Sequence, residues 1–200
     1  MDRKNNIKSY VLILAALFLL YGCGGGGTSI RYYLVDAIET ITPVADEPEL
    51  VVEIMDVHIP QYMERFNIVS RGEENQLFFS DNNQWGDNFR KNLLRTMAQN
   101  LSGLLGTNDV GTPINRTLSK ADYRLQIHIE QFERDYDGYV KLVARWQILD
   151  DTKQRAVSTH NTELKSNGTY AMDEYENIVR SMKDLYGELG RLIAESISAR

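Results

Sequence analysis

Three consecutive segments in the second half of the chain alternate apolar and polar residues with the two-residue period of a half-buried strand. Nothing else in the sequence limits the fold as strongly. In residues 123–132, Tyr123, Leu125, Ile127 and Ile129 point one way, while Arg124, Gln126, His128 and Glu130 point the other. Asp137-Gly138 supplies hairpin-turn chemistry into residues 139–149, and residues 150–154 turn the chain again into residues 155–164. Long strands joined by turns this short pair antiparallel and leave one apolar face to be covered. Residues 173–198 can cover it as a helix. Tyr175, Ile178, Val179, Met182, Leu185, Leu189, Leu192, Ile193 and Ile197 recur at helical spacing. Gly187 and Gly190 interrupt that stripe, each weakening the helix by about 1 kcal/mol. They mark either close packing against a neighbour or a tolerated kink.

The first half repeats the pattern with shorter pieces. Residues 30–35 have the β-branched and aromatic content of a strand, and a loop with Pro43 and Pro48 follows. Residues 50–59 form a second strand with Val51, Glu53, Met55 and Val57 on one face, ended by Pro60. Residues 67–70 and 76–79 flank Arg71-Gly72-Glu73-Glu74-Asn75, which reads as a hairpin turn. From residue 86 to 105 the period becomes helical: Phe89, Leu93, Leu94, Met97, Leu101, Leu104 and Leu105 are spaced by threes and fours, and Gly106 is a natural stop. Asp87 suits the positive end of that helix. Residues 107–120 read as a loop around Gly111 and Pro113. With 200 residues, 42% of them hydrophobic, the chain can bury one ordinary core. The expectation is a single strand-rich domain of about six to seven strands and two main helices.

The first 22 residues follow different rules. Arg3, Lys4 and Lys8 against Asp2 give them a net charge of +2, and an apolar run of ten residues, 11–20, follows. Ten helical residues reach roughly 15 Å, about half a bilayer core, so the run fits a secretory signal better than a membrane span. It ends in Leu20-Tyr21-Gly22-Cys23. This resembles the bacterial lipobox, in which the cysteine becomes the new N-terminus and carries acyl chains on its sulfur. Tyr21 departs from the small residue usual there. Cys23 is the only cysteine, so an intramolecular disulfide and a Cys-based zinc cluster are excluded. The alternative is an uncleaved signal anchor with a stray thiol. Gly24 to Gly27 then form a flexible tether, and the boundaries expected are 1–22 signal peptide, 23–29 lipidated Cys23 and tether, and 30–200 folded domain. Gly24, in place of Asp, resembles lipoproteins sent on to the outer membrane. Two or more acyl chains anchor a protein stably.

Without the leader the formal charge falls from −6 to −8. Nucleic-acid binding is disfavoured by that balance, and anionic head groups repel it. No metal site or cofactor is expected: His58, His128 and His160 match no metal-binding spacing and read as surface or edge residues. No G-x-S-x-G elbow supports a serine nucleophile, and the Gly run lacks the Lys and Ser/Thr of a phosphate loop. The sequence offers no catalytic constellation. Aromatic residues crowd the first half and read mainly as core. Tyr62, Arg65, Arg71 and Trp85 are the candidates for a subunit or partner interface.

The run Ile59-Pro60-Gln61-Tyr62-Met63-Glu64-Arg65-Phe66-Asn67-Ile68-Val69-Ser70-Arg71 resembles a stretch of the PqiC family, the ABC-type transport auxiliary lipoproteins. The similarity continues through Trp85, Asn92, Asn100 and Leu101 to Leu104-Leu105-Gly106. It returns at Ala121-Asp122-Tyr123-Arg124-Leu125 and at Ala144-Arg145-Trp146. Phe66 and Asn88 stand where the family often has Pro, and Ile114 where Trp is frequent. The resemblance implies a compact α/β (α+β) domain, a mixed sheet covered by helices, held on the periplasmic face of the outer membrane. It further implies a non-enzymatic role beside an MCE-domain tunnel protein (PqiB-like) and inner-membrane components that move lipids between membranes, with the lipoprotein itself a homo-oligomeric ring. A lone periplasmic lipoprotein binding a small apolar ligand is the alternative.

Overall fold

The computed structural model describes residues 29–116, 119–150 and 155–199. Its strands are β1 (Arg31–Tyr33), β2 (Val52–His58), β3 (Asn67–Arg71), β4 (Leu77–Trp85), β5 (Val110–Gly111), β6 (Tyr123–Arg134), β7 (Tyr139–Asp150) and β8 (Arg155–Thr169). Helix α1 is Phe89–Leu105 and α2 is Tyr175–Ser198. All eight strands belong to one mixed sheet.

Strand β6 is the hub, and its length explains the branching. One edge pairs antiparallel with β7 throughout, and β7 pairs antiparallel with β8, so the expected three-strand meander is present. Gly138, at φ +89°, makes the first of its turns; the expected turn at 150–154 lies largely outside the described residues. The other edge of β6 is shared. Its first half pairs parallel with β2, from Val52↔Tyr123 to His58↔His128, and its end meets β3 at Ser70↔Arg134. Beyond β3 lie β4 and β1, and beyond β2 lies β5.

Four elements differ from the periodicity. In β2 the partners jump from Ile54 to Asp56, leaving Met55 as a bulged, exposed residue. The bulge flips the alternation, so Val52, Ile54 and Val57 face the core rather than Val51, Glu53, Met55 and Val57 together. Strand β4 runs on to Trp85 instead of stopping at Phe79, because β1 adds to its far end with Tyr33 opposite Trp85. Strand β8 continues past Leu164 to Thr169, since the Ser166 hydroxyl accepts from the Val140 amide and donates to the Gly168 carbonyl where the register shifts. Strand β5 falls in the segment expected as loop.

Both helices pack on one face of the sheet, over Leu125, Ile127, Ile129, Leu142, Ala144 and Ile148. Helix α1 opens with Asn88, whose side chain accepts from the Lys91 amide, and closes at Gly106 in the left-handed conformation (φ +68°). Trp85 stacks on Phe89, ring centroids 4.2 Å apart, and joins the end of β4 to α1. Tyr186 of α2 is fully buried, and its hydroxyl donates to the Leu93 carbonyl of α1.

The segment between β1 and β2 straps the helices. On α1, Asn92, Thr96 and Asn100 lie one helical turn apart and are buried. Asn92 accepts from the Val35 amide and donates to the Val35 carbonyl, Thr96 donates to that same carbonyl, and Asn100 accepts from the Ile38 amide. The strap then donates from Val44 and Glu47 to the last carbonyls of α1. Gly187 belongs to this crossing, since a Cβ there would overlap the Ile38 side chain. Gly190 packs on Asn100 and Leu104. Close packing therefore requires the glycine at 187, whereas a Cβ at 190 would meet its neighbours at ordinary contact distances of 3.4 Å and more.

Candidate functional site

The Ile59-to-Arg71 run forms a turn braced against the end of β6. Ile59 is buried, Pro60 opens a short 3-10 turn over Gln61–Met63, and Ile68 and Val69 enter the core from β3. At the centre is Glu133, whose side chain is wholly buried. Arg71 donates to one of its oxygens from Nε at 3.0 Å and from Nη2 at 2.8 Å. The other oxygen accepts from the Tyr62 hydroxyl at 3.0 Å and the Phe132 amide at 3.1 Å. Burial pushes the Glu133 carboxyl above its ordinary value despite Arg71, and burial together with Glu133 pushes the Tyr62 hydroxyl up.

This cluster has no spare chemistry. Two donors hold each region of the carboxylate, so the group is occupied as a strut rather than poised as an acid or base. Its effect is mechanical: it pins the turn and β3 to β6. Arg65, exposed on that turn, lies over the Phe79 ring with its guanidinium 4.7 Å from the centroid.

The four interface candidates thus separate. Tyr62 and Arg71 meet on Glu133, Arg65 stays at the surface nearby, and Trp85 is 4% exposed and spent in the core. Trp85 is unavailable as a contact in the folded monomer because its ring covers Phe89. Glu133 was invisible in the sequence, where a charged residue on a strand reads as solvent-facing. Cys23 and the lipobox residues Leu20, Tyr21 and Gly22 lie outside the described residues.

A second feature has no signal in the sequence because it joins a helix to a loop. A groove of about 570 Å³ runs between α1 and residues 108–115. Leu94, Ala98, Val110 and Ile114 give it apolar walls, with Lys91 and Arg95 on one bank. Arg95 is paired with Asp87 at 3.0 Å. Of the histidines, His58 and His128 lie side by side across β2 and β6 with centroids 5.4 Å apart, and His160 stacks on Trp146. Among the described residues no three His, Cys, Asp or Glu side chains are grouped to hold a metal.

Comparison with known proteins agrees with this architecture. The chain is 23% identical over 192 residues to the intermembrane transport lipoprotein PqiC of Escherichia coli (strain K12), covering 96% of this chain and 98% of that one. The same figures hold for PqiC of Shigella flexneri. One solved crystal structure shares the fold with a TM-score of 0.69 at 19% identity, over 84% of this chain and 99% of its own. A Xanthomonas campestris protein shares it with a TM-score of 0.68 at 13% identity, over 82% and 93%. The family model for the ABC-type transport auxiliary lipoprotein component matches residues 32–194. With the strut, the strap and most of the closing helix inside that match, the chain belongs to the ABC-type transport auxiliary lipoprotein family, the PqiC family.

Proposed function

We propose that this protein is a lipoprotein anchored through Cys23 to the periplasmic face of the outer membrane. There it serves as a non-enzymatic docking subunit of an MCE-type lipid transport system between the two membranes. The observation that supports this most directly is the end-to-end similarity to lipoproteins named for intermembrane transport, 192 residues long. Such an alignment takes in the leader and Cys23 region as well as the folded domain. The partners proposed are a tunnel protein with MCE domains, inner-membrane components and further copies of the same chain in a ring. Arg65, held on a braced turn, is the contact proposed from the original four, with Tyr62 and Arg71 supporting it from beneath.

Intact mass of the protein extracted from isolated outer membranes tests the anchor, beside a Cys23→Ala variant. A chain that begins at residue 23, carries acyl mass and loses it in the variant is the expected result. An unprocessed chain in the inner membrane would sink the proposal. Co-purification of an MCE-domain protein with the wild type, reduced by Arg65→Glu, tests the docking role. The groove on α1 favours one competing assignment, a lone lipoprotein holding a small apolar ligand. Native mass spectrometry showing a monomer with bound lipid, and no MCE partner, would favour it.

A further inference from the structure

The strand nearest the tether carries an apolar stripe that the fold leaves uncovered. Ile30, Tyr32 and Leu34 alternate along β1 and its flanks and are 43%, 64% and 40% exposed. Their neighbours in sequence face the other way. Arg31 pairs with Glu176 of α2, Tyr33 packs against the core, and Val35 is fully buried. The stripe therefore lies on the face of the sheet away from the helices. Tyr32 and Leu34 lie together there, both within van der Waals reach of the position a Cβ would take at Gly86. Three large apolar side chains on alternate positions of one exposed edge call for a partner.

We infer that this stripe rests on the lipid bilayer that holds the anchor, so that β1 is the membrane-facing edge of the domain. The length of chain before it identifies the occupant. Only seven residue steps separate Cys23 from Ile30, and seven residues cannot reach beyond about 25 Å even when fully extended. If Cys23 is acylated, the stripe never leaves the neighbourhood of the head groups. A body of net charge −8 is not drawn there by anionic lipid. Contact through aliphatic side chains and a tyrosine, whose ring and hydroxyl suit the boundary between acyl chains and water, needs no such attraction. The short leash also replaces intrinsic affinity with a high effective concentration. A stripe too small to bind membranes on its own is thereby sufficient. This inference rests on the proposed acylation of Cys23.

The test uses the mature lipoprotein in phospholipid vesicles. With the Cys23 sulfur acylated, Tyr32→Cys offers a single free thiol for an environment-sensitive fluorophore. Asn161→Cys, exposed on β8, is the control, and Ile30→Cys is a second probe should the first disturb folding. The expected result is a blue-shifted label at positions 32 and 30 that loses most of its emission when the vesicles contain brominated lipid, with position 161 unchanged. Equal, water-like emission at 32 and 161 from protein that still floats with the vesicles would overturn the membrane contact and leave the anchor intact. Shielding of position 32 that grows with protein concentration and ignores the brominated lipid would assign the stripe to a second copy, and also overturns it. Protein that fails to float would remove the anchor itself, and the inference with it.

Discussion

At residue 133 a carboxylate is fully buried, and everything around it is arranged to keep it so. Among the described residues Arg71, with its side chain 20% exposed, is the one cation that touches it. Removing one partner of a buried pair is far more damaging than replacing both. Arg71→Ala is therefore expected to destabilise the domain by about 3 kcal/mol. Arg71→Met combined with Glu133→Gln should recover part of that loss, because the amide oxygen still accepts from Tyr62 and no charge is stranded, while the amide NH2 is left without an acceptor. Urea midpoints at unchanged slope measure both. The pH dependence follows from the direction of the Glu133 shift. Its folded pKa lies above the ordinary 4.5, mainly through burial. The folded protein thus keeps a proton that the unfolded chain has released, and the stability contributed is complete below 4.5 and declines as pH rises through the folded value. The stability of the wild type relative to Glu133→Gln should fall with pH above 4.5, and a flat difference would contradict the burial argument. Little of this is legible in the sequence. Tyr62 and Arg71 stood out at their spacing, but their common partner is 62 residues beyond Arg71.

Among the elements, the helices test how strap and glycines work together. Gly187→Ala adds helix propensity of about 1 kcal/mol but drives a methyl into the branched Ile38 side chain. Overpacking of this kind typically costs about 1–3 kcal/mol, so a net loss is expected, reversed by adding Ile38→Ala. Gly103→Ala is the contrast. Its Cβ would meet the Cδ1 end of a partly buried Ile41, which can swing aside, so thermal melts should show no loss and a small gain. At the start of α1, Asn88→Ala removes the cap on Lys91 and should cost about 1 kcal/mol, read as a lower urea midpoint. Both helices were legible within three residues at each end because their apolar period is long and uninterrupted by β-branched runs. The long strands of the meander are legible despite their register shifts, whereas the buried face of a short strand is not legible where a bulge falls within it. Met55 in β2 illustrates the failure, since one unpaired residue reverses which side chains face inward without leaving a mark in the composition.

For the whole molecule, one core and one sheet predict one cooperative unfolding event. Trp85 and Trp146 are both buried, on strands β4 and β7 to either side of β6, so tryptophan fluorescence and far-UV circular dichroism should give superimposable urea transitions. The strap makes that unit depend on residues far from its visible centre. A chain that begins at Val51 lacks Val35 and Leu50 from the core and leaves Asn92, Thr96 and Asn100 buried without their backbone partners. It is expected to be insoluble or unfolded by circular dichroism, whereas a chain that begins at Ser29 folds. Local periodicity and ordered motifs suffice for the fold class, the antiparallel meander, both helices and the family. Tertiary structure alone decided that β6 divides one edge between β2 and β3, that Glu133 joins Tyr62 to Arg71, and that Ile30, Tyr32 and Leu34 remain uncovered. Each of these depends on which distant segments meet. Hydrophobic pattern specifies that a face must be buried, while the partner that buries it is fixed only when the whole chain has packed.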